Sequence, residues 1–190
     1  MNSPSLASDQ TLIESGLHHS RYVQRLLQSN PSLLEELHAD LHLPWNTESM
    51  KAALAASEIS DEASLKSALR MLRKRVMLRL IVRDISGLAD LHEVMDNATQ
   101  LAEVTTVFAL EQLTPWLNAQ YGQPIGDESS TVQDLIVVGM GKLGGGRTQC
   151  FVGYRPDFCL SGRRRNHRAT SCQQPRVFHR AGQETDHRAE

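Results

Sequence analysis

The stretch Leu135–Phe158, "LIVVGMGKLGGGRTQCFVGYRPDF", changes character at Gly146. Before that glycine, an apolar β-branched run opening at Asp134 is bounded by turn residues and predicts a buried strand. It leads into a turn in which Gly139, Gly141 and Gly144 fit the spacing G-x-G-x-x-G. Glycines there let backbone N–H groups approach a phosphate at a helix start. That fingerprint also needs a following helix and an acidic residue about 20 positions on, within a βαβ unit. "GRTQCFVGYRP" is no helix, and Lys142 is followed by Leu143 rather than Ser or Thr, so the Walker pattern fails as well. Two readings stay open: a phosphate-contacting turn, or a turn that simply needs positive φ.

Upstream the pattern is helical almost throughout the first 125 residues. Tyr22, Val23, Leu26 and Leu27 recur at helical spacing before a break at Asn30-Pro31. Asn46 or Thr47 caps an Ala/Leu-rich helix. From Ser60 a cap and an acidic first turn open a long helix whose apolar stripe is Leu65, Leu69, Leu72, Val76, Leu80 and Val82. Gly87 ends it, and Asp90 starts another helix with Leu91, Val94, Leu101, Val104, Val107, Leu110 and Leu113 on one face. Arg70, Arg73, Arg75, Arg79 and Arg83 line the long helix. A solvated face accounts for them at least as well as a phosphate-binding one.

Charge is split unevenly. Residues 1–146 hold 11 Lys+Arg against 18 Asp+Glu, a net of -7, whereas residues 147–190 hold 9 Arg, no Lys and 4 acidic residues, a net of +5. All three cysteines (Cys150, Cys159, Cys172) fall in that last segment. No apolar run approaches membrane-spanning length, and "MNSPSLASDQ" lacks the regions of a secretory signal, so a cytoplasmic protein without membrane partners is expected.

The run "RDISGLADLHEVMDNATQLAEV", Arg83–Val104, with "DLIVVGMGKLGGG", Asp134–Gly146, resembles the N-terminal half of the bacterial glutamine synthetase adenylyltransferase/adenylyl-removing family. The likeness is strong over Ser60–Gly146 and looser before it. It implies a polymerase-β-type nucleotidyltransferase that uses Mg²⁺ and ATP or ADP. The C-terminal half of such enzymes adenylylates a tyrosine of glutamine synthetase. The N-terminal half removes the AMP by phosphorolysis, with glutamine and the PII signalling protein setting the balance. Glutamine synthetase and PII are therefore the implied partners, with no nucleic acid. Carried over by position, Gly144, Gly145 and Gly146 belong to the nucleotide-site turn and Lys142 sits just before it.

In that family the triple glycine is followed by Glu-Leu-Asn and then Ser-Asp-Ile-Asp-Leu-Ile, whose paired aspartates hold the metal. They are absent here. One inserted nucleotide near the codons of Gly146 and Arg147 accounts for the loss, because Thr148–Phe158 can be encoded so that the regrouped codons restore the whole motif. The aspartates would then straddle Gly153–Tyr154 and Arg155–Pro156, and Asp157, read in the wrong frame, is no substitute. The agreement persists downstream, where Ala181–Ala189 regroups into an amphipathic helix pattern.

On this reading the chain is mainly α. A helical region (1–59) precedes the start of an α+β nucleotidyltransferase domain (60–146), truncated after its first strand, and an out-of-frame, disordered tail (147–190). Cys150, Cys159, Cys172, His167 and His179 lack the paired spacing of zinc ligands, so no metal site is expected. No catalytic residue survives, and the fragment is expected to be inactive, without productively bound cofactor. The alternative is a non-catalytic helical module that binds glutamine synthetase or PII.

Overall fold

The computed structural model describes residues 6–126, 129–145 and 164–166. These fall into two compact units, one built from residues up to 112 with 139–145, the other from 113–138 with 164–166.

The first unit is helical. α1 (Leu6–His19), α2 (Arg21–Ser29), α3 (Ser32–Asp40) and α4 (Thr47–Ala55) surround α5 (Glu62–Ile85), which packs against all four. α6 (Leu91–Tyr121) contributes Leu101 and Val104 to the same core. The boundaries follow from local chemistry. The Ser20 hydroxyl accepts from the Val23 N–H, and Asn30 closes α2 before Pro31. Asn46 caps α4 by accepting from the Ser49 N–H at 2.9 Å. Asp61 opens α5 with a reciprocal box: its carboxylate accepts from the Ser64 N–H at 2.7 Å, and the Ser64 hydroxyl accepts from the Asp61 N–H at 3.0 Å. Gly87 turns left-handed (φ 69) after α5, and Asp90 caps α6 through the Glu93 N–H at 2.8 Å.

Two apolar clusters meet on α5. Ile13, Val23, Leu26, Leu27, Leu33, Leu37 and Leu41 pack on Leu78 and Val82. Met50, Leu54, Leu101 and Val104 pack on Leu72, Val76 and Met77, and Ile81 borders both clusters. The expected α5 stripe is buried apart from Leu69, which is half-buried. On α6 the expected face is only partly used, since Leu91 and Val107 are exposed.

Of the α5 arginines, Arg70 and Arg73 are exposed, as a solvated face requires, and Arg79 and Arg83 correct that expectation. Arg79 and Arg83 are 7% and 5% exposed. The Arg83 fork donates to both Glu93 carboxylate oxygens (2.8 and 3.0 Å), the Leu41 carbonyl (2.7 Å) and the Leu88 carbonyl (3.1 Å). Arg79 pairs with Asp40 at 3.1 Å, donates to the Leu43 carbonyl at 3.3 Å and lies 5.5 Å from the Trp45 ring centre. Burial lowers the Arg79 pKa from its ordinary value, and Asp40 opposes that shift. Helical periodicity cannot distinguish such arginines from solvated ones, because both fall on positions bordering the apolar stripe.

In the second unit, the end of α6 runs to Tyr121, with Pro115 inside it. β1 (Pro124–Gly126) pairs antiparallel with β2 (Arg164–Asn166), Ile125 facing Arg165. Ile125 also bridges to Val132. The disordered tail expected over 147–190 is thus departed from at Arg164–Asn166, because a short strand edge presents main-chain groups that another extended segment can satisfy whatever its side chains. The rest of that tail lies outside the described residues.

The expected buried strand at Asp134–Val138 is also corrected. Those residues form no strand, with one bridge position at Val137. Leu135 and Val137 are half-buried, whereas Ile136, Val138 and Met140 are 58%, 49% and 66% exposed. The period of two is present, but a strand buried on both faces needs paired neighbours and covering layers. The α+β nucleotidyltransferase domain is therefore not assembled among the described residues.

Two outcomes follow from these contacts. Arg83→Met leaves Glu93 and two carbonyls without their donor and should destabilise the chain by about 3–5 kcal/mol in chemical denaturation. Lys66→Ala, which breaks an exposed pair with Glu62, should cost under about 1 kcal/mol. The Ser64 N–H and hydroxyl hold the Asp61 carboxyl below its ordinary range. Its contribution is therefore present above the ordinary carboxylate range and lost as pH falls through the depressed value. Asp61→Ala should lower Tm at neutral pH, and its difference from the parent chain should close in strong acid.

Candidate functional site

The glycine turn is the candidate site among the described residues, and its geometry is local. Met140 is extended (φ -110, ψ 160), Gly141 is left-handed (φ 59), and α7 (Gly141–Gly144) makes a single helical turn. The Gly145 N–H closes it by donating to the Gly141 carbonyl at 3.1 Å. A side chain is disfavoured at two points for different reasons. At Gly141 the constraint is the positive φ, and the space where a Cβ would sit is open. At Gly144 it is contact, because a Cβ would overlap the Gly139 carbonyl oxygen.

The left-handed Gly141 meets the second open reading, a turn that needs positive φ. The 139–144 approach explains part of the glycine spacing as packing of the turn on itself. The open face of Gly141 leaves backbone that a phosphate oxygen could reach. Of the expected nucleotide-turn residues, Gly144 closes α7, Gly145 follows it, Lys142 lies within it, and Gly146 lies outside the described residues. The residue that opens the turn is Gly141; its signal in the sequence was the G-x-G-x-x-G spacing itself.

The carboxylates needed for Mg²⁺ are a different matter. Among the described residues no group of three His, Cys, Asp or Glu side chains is gathered to hold a metal ion. The described residues do not fit the ion. Cys150, Cys159, Cys172, His167, His179, Asp157 and the positions straddled by the shifted aspartates lie outside the described residues. Among the described residues no helix is long and apolar enough to cross a membrane.

The glutamate-ammonia ligase adenylyltransferase family matches residues 11–157, a span that takes in the helical unit and the glycine turn. The chain belongs to that family. The bifunctional glutamine synthetase adenylyltransferase/adenylyl-removing enzymes of Nitrosomonas eutropha and Nitrosomonas europaea are 45% and 47% identical to it over 140 residues, 72% of this chain. The enzyme of that name from Aromatoleum aromaticum is 40% identical over 148 residues, 76% of the chain. The chain spans about 15% of the length of these relatives. The family match runs past Gly146 and stops at Asp157.

The steric role of Gly144 has a direct readout. Overpacking of this kind costs about 1–3 kcal/mol, so Gly144→Ala should speed hydrogen exchange at the Gly145 amide about tenfold or more. Exchange at α5 core amides should stay unchanged.

Proposed function

We propose that this chain is the part of a bifunctional glutamine synthetase adenylyltransferase/adenylyl-removing enzyme that leads into its nucleotide-transfer site, and that as translated it is catalytically silent. The observation that carries the reading is the Gly139–Gly145 turn, which falls within residues 11–157, the span that matches the family. Gly141 offers open backbone of the kind that accepts phosphate oxygens. Gly144, Gly145, Gly146 and Lys142 are the residues assigned to the nucleotide side of the site. The intact protein would add the paired aspartates, Mg²⁺ and ATP or ADP, with tyrosine-modified glutamine synthetase as substrate, phosphorolytic removal of AMP as the reaction of this half, and PII as regulator.

The silence follows from what stands after Gly146. The switch from net -7 to net +5, the loss of apolar periodicity, and the recovery of the family motif in the neighbouring frame all support one inserted nucleotide. Phosphoryl and nucleotidyl transfer depends on charge neutralisation at the phosphates. Without the aspartates the turn can position a phosphate group but not activate it. The domain organisation on this reading is a helical region (1–59), the start of the nucleotidyltransferase domain (60–146) and an out-of-frame tail (147–190), in a cytoplasmic protein.

A second reading is favoured by the helical unit, which has its own two apolar clusters among residues 13–104. It would bind glutamine synthetase or PII without catalysis, and capture of either purified protein by the chain would support it.

Two measurements test the proposal. Deadenylylation of modified glutamine synthetase by the purified chain with Mg²⁺ and phosphate should stay at background; robust Mg²⁺-dependent release of ADP overturns the silent reading. Restoring the frame at Gly146 in the gene should return the aspartate motif to the product, and an unshifted genomic sequence there would overturn the insertion.

A further inference from the structure

The cations of the first unit are unevenly partnered. Lys51, Lys66, Arg75, Arg79 and Arg83 each reach a carboxylate at 2.6–3.3 Å. Among the described residues, Arg21, Arg25, Arg70, Arg73 and Lys74 have no such partner. All five lie on α2 and on Arg70–Lys74 of α5, two helices packed on each other. α2 carries no acidic residue, Leu65–Lys74 of α5 carries none, and Glu62 is engaged by Lys66.

The packing of α2 on α5 and one hydrogen bond bring the cations of the two helices together. The Lys74 ammonium donates to the Asn30 side chain at 3.2 Å, at the end of α2. Near the start of α2, Tyr22 has its pKa raised by partial burial and pulled back by the charge of Arg73. Arg25 lies one helical turn beyond Tyr22 and Arg21 one turn before Arg25, while Arg70 lies one turn before Arg73. Arg21, Arg25, Arg70 and Arg73 are exposed, and Tyr22 is 44% exposed among them.

We propose that this α2–α5 face docks an acidic segment of a partner protein. Charge complementarity identifies the occupant. Four of the five cations are arginines, whose planar forks bind carboxylates in pairs. Tyr22 supplies an amphipathic ring of the sort enriched in protein interfaces. A long polyanion such as a nucleic acid fits less well, because residues 1–146 carry a net charge of -7 and repel it beyond the patch. A short acidic segment stays within the cationic face, at separations where screening is weakest.

The test uses the full chain and a fluorescein-labelled oligoglutamate, read by anisotropy, with an oligouridylate of equal charge for comparison. Arg25→Glu/Arg73→Glu should weaken oligoglutamate binding about tenfold, two exposed pairs being lost and reversed. Arg163→Glu/Arg165→Glu, in the arginine-rich tail, should change it by less than about twofold. The milder Arg25→Gln/Arg73→Gln should give an intermediate loss, and circular dichroism melting checks that each variant folds. Oligoglutamate affinity indifferent to both α2–α5 variants, or lost equally on tail reversal, overturns the proposal. So does oligouridylate binding of equal strength that the α2–α5 variants abolish.

Discussion

A guanidinium sealed inside a helical unit must find an acceptor for every N–H or give back the solvation it lost, and Arg83 is the group in that position here. Its fork reaches Glu93 on α6, the Leu41 carbonyl at the end of α3 and the Leu88 carbonyl in the turn between α5 and α6. One side chain thus fixes three segments relative to α5. Arg79, one turn earlier, holds the Leu43 carbonyl and Asp40. Between them His42 meets the buried Asp9 carboxylate of α1 at 2.7 Å. The Leu41–Leu43 segment is therefore held by three charged side chains from two helices. Apolar burial supplies most of the driving force, but it is non-directional, and these contacts set the register in which the helices meet.

The glycine turn shows the opposite economy. Nothing distant is needed to shape it: a left-handed Gly141, one helical turn, and a close approach of Gly144 to the Gly139 carbonyl account for it. Because the shape is local, the turn can persist when the rest of a catalytic domain does not. Chemistry is less forgiving. A turn of this shape is not by itself a catalytic site, because transfer at a phosphate needs positive charge that neutralises the phosphate oxygens.

Much of the fold was legible before the structure. The break at Asn30-Pro31, the Asn46 cap (one of two candidates, with Thr47), the start at Asp90 and the Gly87 stop are decided by hydrogen bonds or dihedral limits within four residues and fall where the pattern put them, while the cap expected from Ser60 proves to be Asp61. The strand at Asp134–Val138 was misread for the complementary reason. Its β-branched run announces a strand, yet pairing partners lie outside the segment, and without them Ile136 and Val138 face solvent. Arg79 and Arg83 were misread because a charge at the border of an apolar stripe looks the same whether its partner is water or Glu93.

Helix positions, the family, and the glycine spacing of the candidate site are thus properties of sequence, since caps, periodicity and motif all depend on neighbours along the chain. Which arginines are buried, which remain unpartnered on the α2–α5 face, and whether the β-branched run becomes a strand depend on residues distant along the chain, as Arg83 depends on Leu41 and Arg79 on Leu43. Those distances close only when the helices pack, because ion pairs and strand ladders need two partners and a single stretch of sequence supplies one.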